Sequence, residues 1–306
     1  MPRVAVLDLG TNSTRLLIAD VQDGHLEELD RRTAVTRLGE RVEATGRLQP
    51  AAIERVCETL VAYRRAIDER RVDRIESVAT SAVRDATNGD ELRATLRERF
   101  GLEARTLSGD EEARLTFLGA TSGRSSGDAS TLVIDIGGGS TEFVIGAPGE
   151  APDFHVSTQA GSVRHTERHL AHDPPTTPEV RELRSDVRQL IERSVRARVR
   201  ARVTKGIAVA GTATSLAAID QRLNVYDRSR VDGYELQRPA CERMLAELAA
   251  LPLERRREVV GLNPARAPTI VAGAAVLVES MEAFALERVE TSESDILHGV
   301  AITAGT

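Results

Sequence analysis

The architecture of this chain follows from two similar stretches, DLGTNSTRLLI at residues 8–18 and DIGGGSTEFVI at residues 135–145. At a constant offset of 127 residues, both have Asp first, Gly third, Ser-Thr at the sixth and seventh places and Ile last. An apolar run precedes each Asp and another follows each Thr, which predicts a strand, a tight polar turn and a second strand. The sequence therefore predicts that one structural unit occurs twice.

The elements that flank the two stretches recur in the same order, which indicates a duplicated α/β fold. In the first half we predict strands at 4–7, 16–19, 27–36, 75–80 and 102–107 and helices at 50–70, up to residue 100 and at 110–120. In the second half we predict strands at 132–134, 143–145, 154–157 and 207–210, a turn at 211–214 and a helix after it. Thr177 and Pro178 are predicted as the cap and first residue of a long helix. The small polar residues 121–128 mark the linker.

Composition places the chain among globular proteins. Its 306 residues suit two domains at about 150 residues each. Fractions of 41% hydrophobic and 29% charged residues, with 23 Gly and 11 Pro, exclude collagen-like and disordered chains. No apolar run reaches the roughly 18 residues of a membrane span and no signal peptide is recognisable, so we expect a cytoplasmic protein. Cys57 and Cys241 lie far apart and are expected to be inert packing thiols.

The charge balance limits the choice of partner. With 47 acidic and 41 basic residues the formal net charge is −6, so the molecule as a whole does not attract a polyanion such as nucleic acid. A phosphate-rich partner must be bound by a local group of residues. All the basic residues except Lys205 are arginine, and the planar guanidinium grips phosphate oxygens well.

Each of the two turns offers groups for a phosphate and for a metal ion. A strand that ends in Asp presents a carboxylate to a hard cation, and the glycines and small hydroxyl residues after it turn backbone N–H groups toward an anion. The second copy carries Glu142 where the first carries Arg15. We therefore expect phosphate together with Mg²⁺. The chain has no GxxxxGK[ST] or GxGxxG motif, which excludes a P-loop and a dinucleotide-binding turn.

Paired turns of this kind are typical of the actin, hexokinase and Hsp70 superfamily, and the chain resembles its exopolyphosphatase and guanosine pentaphosphate phosphatase (Ppx/GppA) family. Besides the two turns, the matching stretches are RLGE at 37–40, ATSAVRDATNG at 79–89, SGDEEARLTFLG at 108–119, GSVRHTE at 161–167 and GTATSLAAI at 211–219. The resemblance implies the short form, with two duplicated ribonuclease H-like domains and an interdomain cleft. Domain I would span 1–121, with a C-terminal helix at about 297–306 packed back on it, and domain II would span 122–306.

The resemblance also implies an activity. We expect an enzyme that uses Mg²⁺, with Mn²⁺ as a substitute, to release terminal phosphate from inorganic polyphosphate, with guanosine pentaphosphate as the alternative substrate. No nucleic acid or membrane partner is expected, and a homodimer is left open. A kinase of the same superfamily and a non-catalytic polyphosphate or alarmone sensor are the rivals. The SGDEEA glutamate argues against the kinase, and the intact Glu112, Asp135 and Glu142 argue against the sensor.

The same resemblance assigns roles to individual residues. Glu112, the glutamate just before the alanine in SGDEEA, would be the general base. Asp135 and Glu142 would bind Mg²⁺ with Asp8, and Glu142 would also position the attacking water. The expected phosphate-binding residues are Thr11, Asn12, Ser13, Arg84, Gly138, Gly139, Ser140, Gly211 and Thr212.

Two features of the second half have other interpretations. His165, His169 and His172 have a spacing that suits a transition metal on a helix, but no further Cys or His completes such a site, so a partly exposed polar face is expected. Arginines alternate with apolar residues over 196–202, which has the period of a strand at the end of a predicted helix. The sequence does not decide between strand and helix here. A solvated face with partners such as Glu192 is favoured over a basic wall for a polyanion.

Overall fold

The computed structural model describes residues 2–124 and 130–305, and the chain forms two compact units. Unit 1 consists of Met1–Arg124 and Ser294–Thr306, and unit 2 of Ser125–Glu293. The sequence analysis placed the boundary between 121 and 122, and positions 125–128 of its predicted linker lie outside the described residues. The C-terminal segment belongs to unit 1.

Unit 1 is an α/β unit with a mixed sheet. Its elements before the C-terminal segment are β1 (Arg3–Leu9), β2 (Thr14–Gln22), β3 (His25–Ala34), α1 (Val42–Thr45), α2 (Pro50–Glu69), β4 (Arg74–Ala79), α3 (Ser81–Asp85), α4 (Gly89–Phe100), β5 (Ala104–Thr106) and α5 (Gly109–Thr121). The strand order is β3-β2-β1-β4-β5. The first three strands are antiparallel neighbours, and β4 and β5 continue parallel to β1. The strands and helices predicted for this half are confirmed.

Both faces of the unit 1 sheet are covered, because side chains alternate along its strands. On β1, Ala5 and Leu7 pack into a core that includes the apolar face of α2, whereas Val4 and Val6 pack into a second core. The C-terminal helix Ile296–Gly305 contributes to that second core. This helix packs closely on α5 at Gly119, where an added Cβ would lie 1.9 Å from the carbonyl oxygen of Asp295.

Unit 2 repeats the arrangement and extends it. Its elements are β6 (Thr131–Ile136), β7 (Thr141–Gly146), β8 (Phe154–Thr158), α6 (Ser162–His169), α7 (Thr177–Ser194), α8 (Ala197–Arg200), β9 (Lys205–Val209), α9 (Ala210–Asp220), α10 (Arg228–Val231), β10 (Glu235–Gln237), α11 (Arg238–Ala250), α12 (Leu253–Arg256), a 3₁₀ turn (Pro264–Arg266), α13 (Ile270–Ala283) and β11 (Arg288–Thr291). The C-terminal helix of unit 1 is α14. The order β10-β11-β9-β6-β7-β8 places β8-β7-β6-β9-β11 in the same pattern as the sheet of unit 1, with β10 added at one edge. The predicted duplicated α/β fold, of ribonuclease H-like strand order, is confirmed.

In unit 2, two local predictions need correction, and the structure answers one question that the sequence left open. Thr176, not Thr177, caps α7, because its side chain accepts the N–H of Glu179 while the Glu179 carboxylate accepts the N–H of Thr176. Residues 211–214 form no turn, since Ala210, with a positive φ of 64°, lets α9 begin directly after β9. Residues 196–202 form the short helix α8 and the turn after it, not a strand.

Two further expectations are met by the structure. Both cysteines are buried free thiols, and burial raises the pKa of Cys241 to about 12, which keeps it protonated and unreactive. Within residues 2–124 and 130–305, no helix has the length and apolar character required to cross a membrane.

Candidate functional site

The two similar stretches form hairpins with the same backbone. Hairpin 1 (residues 8–18) joins β1 to β2, and hairpin 2 (residues 135–145) joins β6 to β7. In hairpin 1 the N–H of Gly10 donates to the carbonyl of Ser13 at 3.0 Å, and in hairpin 2 the N–H of Gly137 donates to the carbonyl of Ser140 at 3.0 Å. The sequence repeat is therefore a repeat of turn geometry.

In each hairpin, neighbouring segments bind the carbonyl groups of the turn. In hairpin 1, the N–H groups of Arg37 and Gly39 donate to Asn12 and Thr11, at 2.9 and 2.8 Å. The N–H of Ala82 in α3 donates to the hydroxyl of Thr11, which fixes the start of α3 against this turn. The carbonyl groups of Thr11 and Asn12 are thus occupied by neighbouring segments of unit 1.

Hairpin 2 rests on the first turn of α6. The N–H groups of Ser162 and Val163 donate to the carbonyls of Gly137 and Gly138, at 3.0 and 2.8 Å, and Nε of Arg164 donates to Gly139 at 2.8 Å. Gly161 permits this contact, since a Cβ there would lie 2.3 Å from the Gly138 carbonyl oxygen. The GSVRHTE stretch of the sequence thus supports the glycine turn.

Two successive N–H groups in each turn have no protein partner among the described residues. In the part of the chain that the structure describes, the N–H groups of Thr11, Asn12, Gly138 and Gly139 donate to no protein acceptor. Successive backbone N–H groups in a turn form a concave site that attracts phosphate oxygens. Ser13 and Ser140 are buried at the ends of the same turns.

The strand register of hairpin 2 brings two carboxylates together. Asp135 on β6 lies directly opposite Glu142 on β7, so both side chains are on one face of the sheet. Their residues are only 7% and 1% exposed, and the hydroxyl of Ser157 on β8 donates to Oε1 of Glu142 at 2.6 Å. Like charges directly opposite each other destabilise a sheet unless positive charge compensates them. Hard carboxylate oxygens in such a pair suit a divalent cation.

Hairpin 1 has an arginine at the corresponding place. Arg15 lies opposite Asp8, and its guanidinium is 2.6 Å from Oδ2 of that carboxylate. The same guanidinium forms an ion pair with Asp295, which precedes α14, and Arg31 lies 3.5 Å from Asp295. Burial would raise the pKa of Asp295, but the charges of Arg15 and Arg31 outweigh it and hold the pKa below its ordinary value. Hairpin 1 is thus neutralised within unit 1.

One oxygen of Asp8 differs from the rest of this network. Oδ1 is buried and has no hydrogen-bond partner among the described residues, while Oδ2 accepts from Arg15. Burial raises the pKa of Asp8 above its ordinary value, although Arg15 acts against it. A buried acceptor without a partner indicates a missing ligand, water or ion.

The two neighbouring glutamates of SGDEEA have different environments. Glu111 closes a capping box with Ser108, whose N–H donates to Oε2 of Glu111 at 3.0 Å, so this carboxylate belongs to the start of α5. Glu112 is 7% exposed, and Arg84 donates to its Oε2 at 3.0 Å. Arg84 also donates to the carbonyl of Leu107 at 2.9 Å. Because Arg84 is on α3, the predicted base is connected to hairpin 1 through that helix.

Gly211 and Thr212 lie in the first turn of α9. The last residue of β9, Val209, pairs with Asp135, so α9 begins at the same end of the sheet as hairpin 2. A Cβ on Gly211 would lie 1.9 Å from the guanidinium of Arg266, which therefore packs on the start of this helix. No role was predicted for Arg266, because it lies in none of the sequence motifs.

The histidine segment differs from its prediction. His165 is fully buried, so the prediction of a partly exposed face is wrong for this residue. His169 and His165 both face Asp186 of α7, at 3.0 and 3.5 Å, whereas His172 pairs separately with Glu179. Asp186 was not predicted as a partner of these histidines, because only Cys and His were considered as further ligands.

Known proteins are similar to this chain over nearly its whole length. The model of the Ppx/GppA phosphatase family matches residues 17–304. Exopolyphosphatase 2 of Mycobacterium tuberculosis is 36% identical over 322 aligned positions, which cover 99% of this chain and 98% of that protein.

Two solved structures are also similar over nearly the whole chain. A crystal structure of an exopolyphosphatase-like protein is 35% identical, with a TM-score of 0.93 and coverage of 99% of this chain and 98% of that one. A Ppx/GppA family member from Aquifex aeolicus is 30% identical, with a TM-score of 0.82 and coverage of 99% and 97%. The likeness thus extends through both units.

Proposed function

We propose, from the premise that this chain belongs to the Ppx/GppA phosphatase family, that it is an exopolyphosphatase that uses Mg²⁺ to hydrolyse the terminal phosphoanhydride bond of inorganic polyphosphate. The observation that carries the proposal is hairpin 2, where the buried pair Asp135 and Glu142 adjoins a turn with outward N–H groups. A carboxylate pair beside an anion cradle suits a metal-bound phosphate. The name of the relative from M. tuberculosis supports polyphosphate as the substrate.

The residues present fit Mg²⁺, and Mn²⁺ as its substitute. Asp135 and Glu142 offer the hard oxygen donors that these ions prefer. Oδ1 of Asp8 is a buried acceptor without a hydrogen-bond partner among the described residues. We assign the main part to Asp135 and Glu142, because Arg15 already compensates Asp8. When bound, the ion would neutralise negative charge that develops on the phosphate oxygens.

Phosphate groups would be held by backbone and side-chain donors within each unit. The N–H groups of Gly138 and Gly139 in hairpin 2, and those of Thr11 and Asn12 in hairpin 1, can donate to phosphoryl oxygens. Ser13 and Ser140 add hydroxyl groups to these turns. Gly211 and Thr212 supply the first turn of α9, where the helix dipole favours an anion.

Glu112 is the group we assign to the attacking water. Hydrolysis needs a base that orients a water molecule and accepts its proton. The Arg84 guanidinium holds the Glu112 carboxylate in one orientation, at 3.0 Å from Oε2. In the capping box, Glu111 is occupied with the N–H of Ser108, so the two adjacent glutamates divide into one catalytic and one structural carboxylate.

A parallel assay tests the proposal. Phosphate release is measured with Mg²⁺ from long-chain polyphosphate, guanosine pentaphosphate and ATP at equal concentrations of terminal phosphate, with Glu112→Gln as the inactive control. We expect the highest kcat/KM for polyphosphate. A higher value for guanosine pentaphosphate would identify an alarmone phosphatase instead, and tight binding of polyphosphate without release would identify a sensor.

A further inference from the structure

A second group of ligand-type side chains lies in unit 2, between α6 and α7. His165 and His169 are four residues apart on α6, so their rings share one face of the helix. Asp186 reaches them from α7. One ligand atom from each of the three residues lies within 4.8 Å of the other two.

His165 is the unusual member of this group. Its residue is 0% exposed, and among the described residues neither Nδ1 nor Nε2 has a hydrogen-bond partner. A buried polar ring without hydrogen bonds destabilises a fold, and native structures rarely leave one unexplained. Nε2 nevertheless points toward the cluster, at 3.5 Å from Oδ2 of Asp186.

The distances resemble the edges of a coordination sphere. Zinc binds imidazole nitrogen at about 2.0–2.1 Å and carboxylate oxygen at about 2.0–2.2 Å, which places neighbouring ligands of a tetrahedron about 3.3 Å apart. Oδ2 of Asp186 lies 3.5 Å from Nε2 of His165 and 3.0 Å from Nε2 of His169. Two edges of a tetrahedral site are thus near the required length, and the third, between nitrogens of the two histidines, is within 4.8 Å.

We propose that His165, His169 and Asp186 form a binding site for a transition-metal dication of the Zn²⁺ type. Two imidazoles and one carboxylate are a donor set for zinc, whereas Mg²⁺ prefers oxygen ligands alone. The side chains of His169 and Asp186 are 15% and 26% exposed, so water can occupy the fourth position from that side.

Among the described residues, Arg168 competes with the metal for Asp186. Nη1 of Arg168 lies 3.3 Å from the same Oδ2 atom, and its side chain is 37% exposed. Metal binding would displace this guanidinium from Asp186 at little cost, because ion pairs that are partly exposed contribute little. At the Asp186 carboxylate, the single positive charge of Arg168 would be replaced by the two positive charges of the metal ion.

The site would connect hairpin 2 to the body of unit 2. The first residues of α6 donate hydrogen bonds to the carbonyls of Gly137 and Gly138, and the metal would fix the following turn of that helix to α7. The phosphate-binding turn and the metal site are thus at the two ends of one short helix. The metal site itself does not depend on the function proposed above.

Cobalt substitution tests the site on the full-length protein. After treatment with a chelator, we expect one equivalent of Co²⁺ to produce the strong visible absorption of tetrahedral coordination, and Zn²⁺ to displace it. His169→Gln and Asp186→Asn, which alter the less buried ligands, should abolish the band. His172→Gln is the matched control and should retain it, because His172 pairs with Glu179 outside the cluster.

Thermal melting supplies a second readout. A hundredfold excess of Zn²⁺ over its dissociation constant should raise the melting temperature of the wild type by about 5 °C. The shift should disappear in His169→Gln and Asp186→Asn and persist in His172→Gln. Absence of the cobalt band in the wild type, or a band and a shift that survive both ligand variants, would overturn the proposal.

Discussion

Hairpin 1 and hairpin 2 place different side chains at the same point of the same backbone. Opposite Asp8 stands Arg15, whereas opposite Asp135 stands Glu142. In hairpin 1 the guanidinium is 2.6 Å from the aspartate, so the pair is neutral and is also tied to Asp295. In hairpin 2 both members are acidic and almost fully buried.

The difference indicates that one duplicated turn has been used for two purposes. The Arg15 network joins β1 and β2 to the residues just before α14, so hairpin 1 stabilises the return of the C-terminal segment to unit 1. Hairpin 2 has two carboxylates at this point, and in the function proposed above they bind a cation. Among the described residues, both turns have backbone N–H groups without a protein acceptor, and in the proposed function these groups bind phosphate whichever residue lies opposite the aspartate.

Reversing the charge at Glu142 in hairpin 2 should cause the largest loss of phosphate release. Glu142→Arg would place a guanidinium opposite Asp135, as Arg15 stands opposite Asp8, and would compete with Mg²⁺ for the carboxylate. We expect phosphate release from polyphosphate to fall to the level of wild-type protein in excess chelator. Far-ultraviolet circular dichroism should remain that of the wild type.

Glu142→Gln is the control for this exchange, because it removes the charge without adding one. It should retain measurable release at high Mg²⁺. Full activity of Glu142→Arg at ordinary Mg²⁺ would show that hairpin 2 has no special need of its acidic pair.

The second-largest loss of activity is expected from replacing Glu112, the proposed general base. Glu112→Gln should lower kcat by about 10²- to 10⁴-fold, as expected for loss of a general base, with little change in KM. Glu111→Gln is the matched control, because the carboxylate of Glu111 belongs to the capping box of α5. Because glutamine also suits the third position of a capping box, this variant should cost little stability and leave kcat nearly unchanged. Equal losses of kcat in both variants would contradict the division between the two glutamates.

Removing the neutralising arginine of hairpin 1 should affect stability. Arg15→Leu leaves Asp8 and Asp295 buried without their shared cation, and we expect a loss of about 3–5 kcal/mol in the free energy of unfolding. Denaturant unfolding measures it. The exposed pair of Arg47 and Glu91 provides the comparison, because Arg47→Leu should cost no more than about 1 kcal/mol. Similar losses in the two variants would mean that the network contributes no more than a surface ion pair.

The local signals explain why much of the fold was predictable. Each hairpin is encoded by adjacent residues, so its strands and turn, and the duplication itself, were visible in the sequence. The asymmetry between Arg15 and Glu142 was visible as well. Its consequence was not, because only the register of β1 and β2 shows that Arg15 lies against Asp8, and only the return of the chain brings Asp295 there.

Other features depend on tertiary packing that no short pattern encodes. Helix α13 is buried on nearly all sides and therefore lacks the amphipathic period that marks a surface helix. Arg266 reaches Gly211 from a distant part of unit 2, and Asp186 joins the histidines only because α7 packs on α6. These contacts required the structure.

A smaller effect is expected in the salt dependence of KM. Of the arginines between 196 and 202, Arg200 donates to the carbonyl of Val195 and Arg202 pairs with Asp153, so these two have structural partners. If the hairpins carry most of the binding, KM for long polyphosphate and for tripolyphosphate should rise by similar factors with salt at fixed Mg²⁺. A much steeper rise for the long chain would indicate an extended basic track, whose ion pairs are screened over a Debye length of about 8 Å.

The titration of phosphate release with Mg²⁺ in Asp135→Asn and Asp8→Asn compares the two hairpins at the same position. Asp135→Asn removes a carboxylate from the acidic pair and should raise the Mg²⁺ concentration for half-maximal rate by at least about tenfold. Asp8→Asn removes a carboxylate that Arg15 compensates, so its midpoint should move much less, although the variant loses stability. Circular dichroism at the assay temperature confirms that each variant is folded. Equal shifts in both variants, or a larger shift in Asp8→Asn, would contradict the assignment of the metal to hairpin 2.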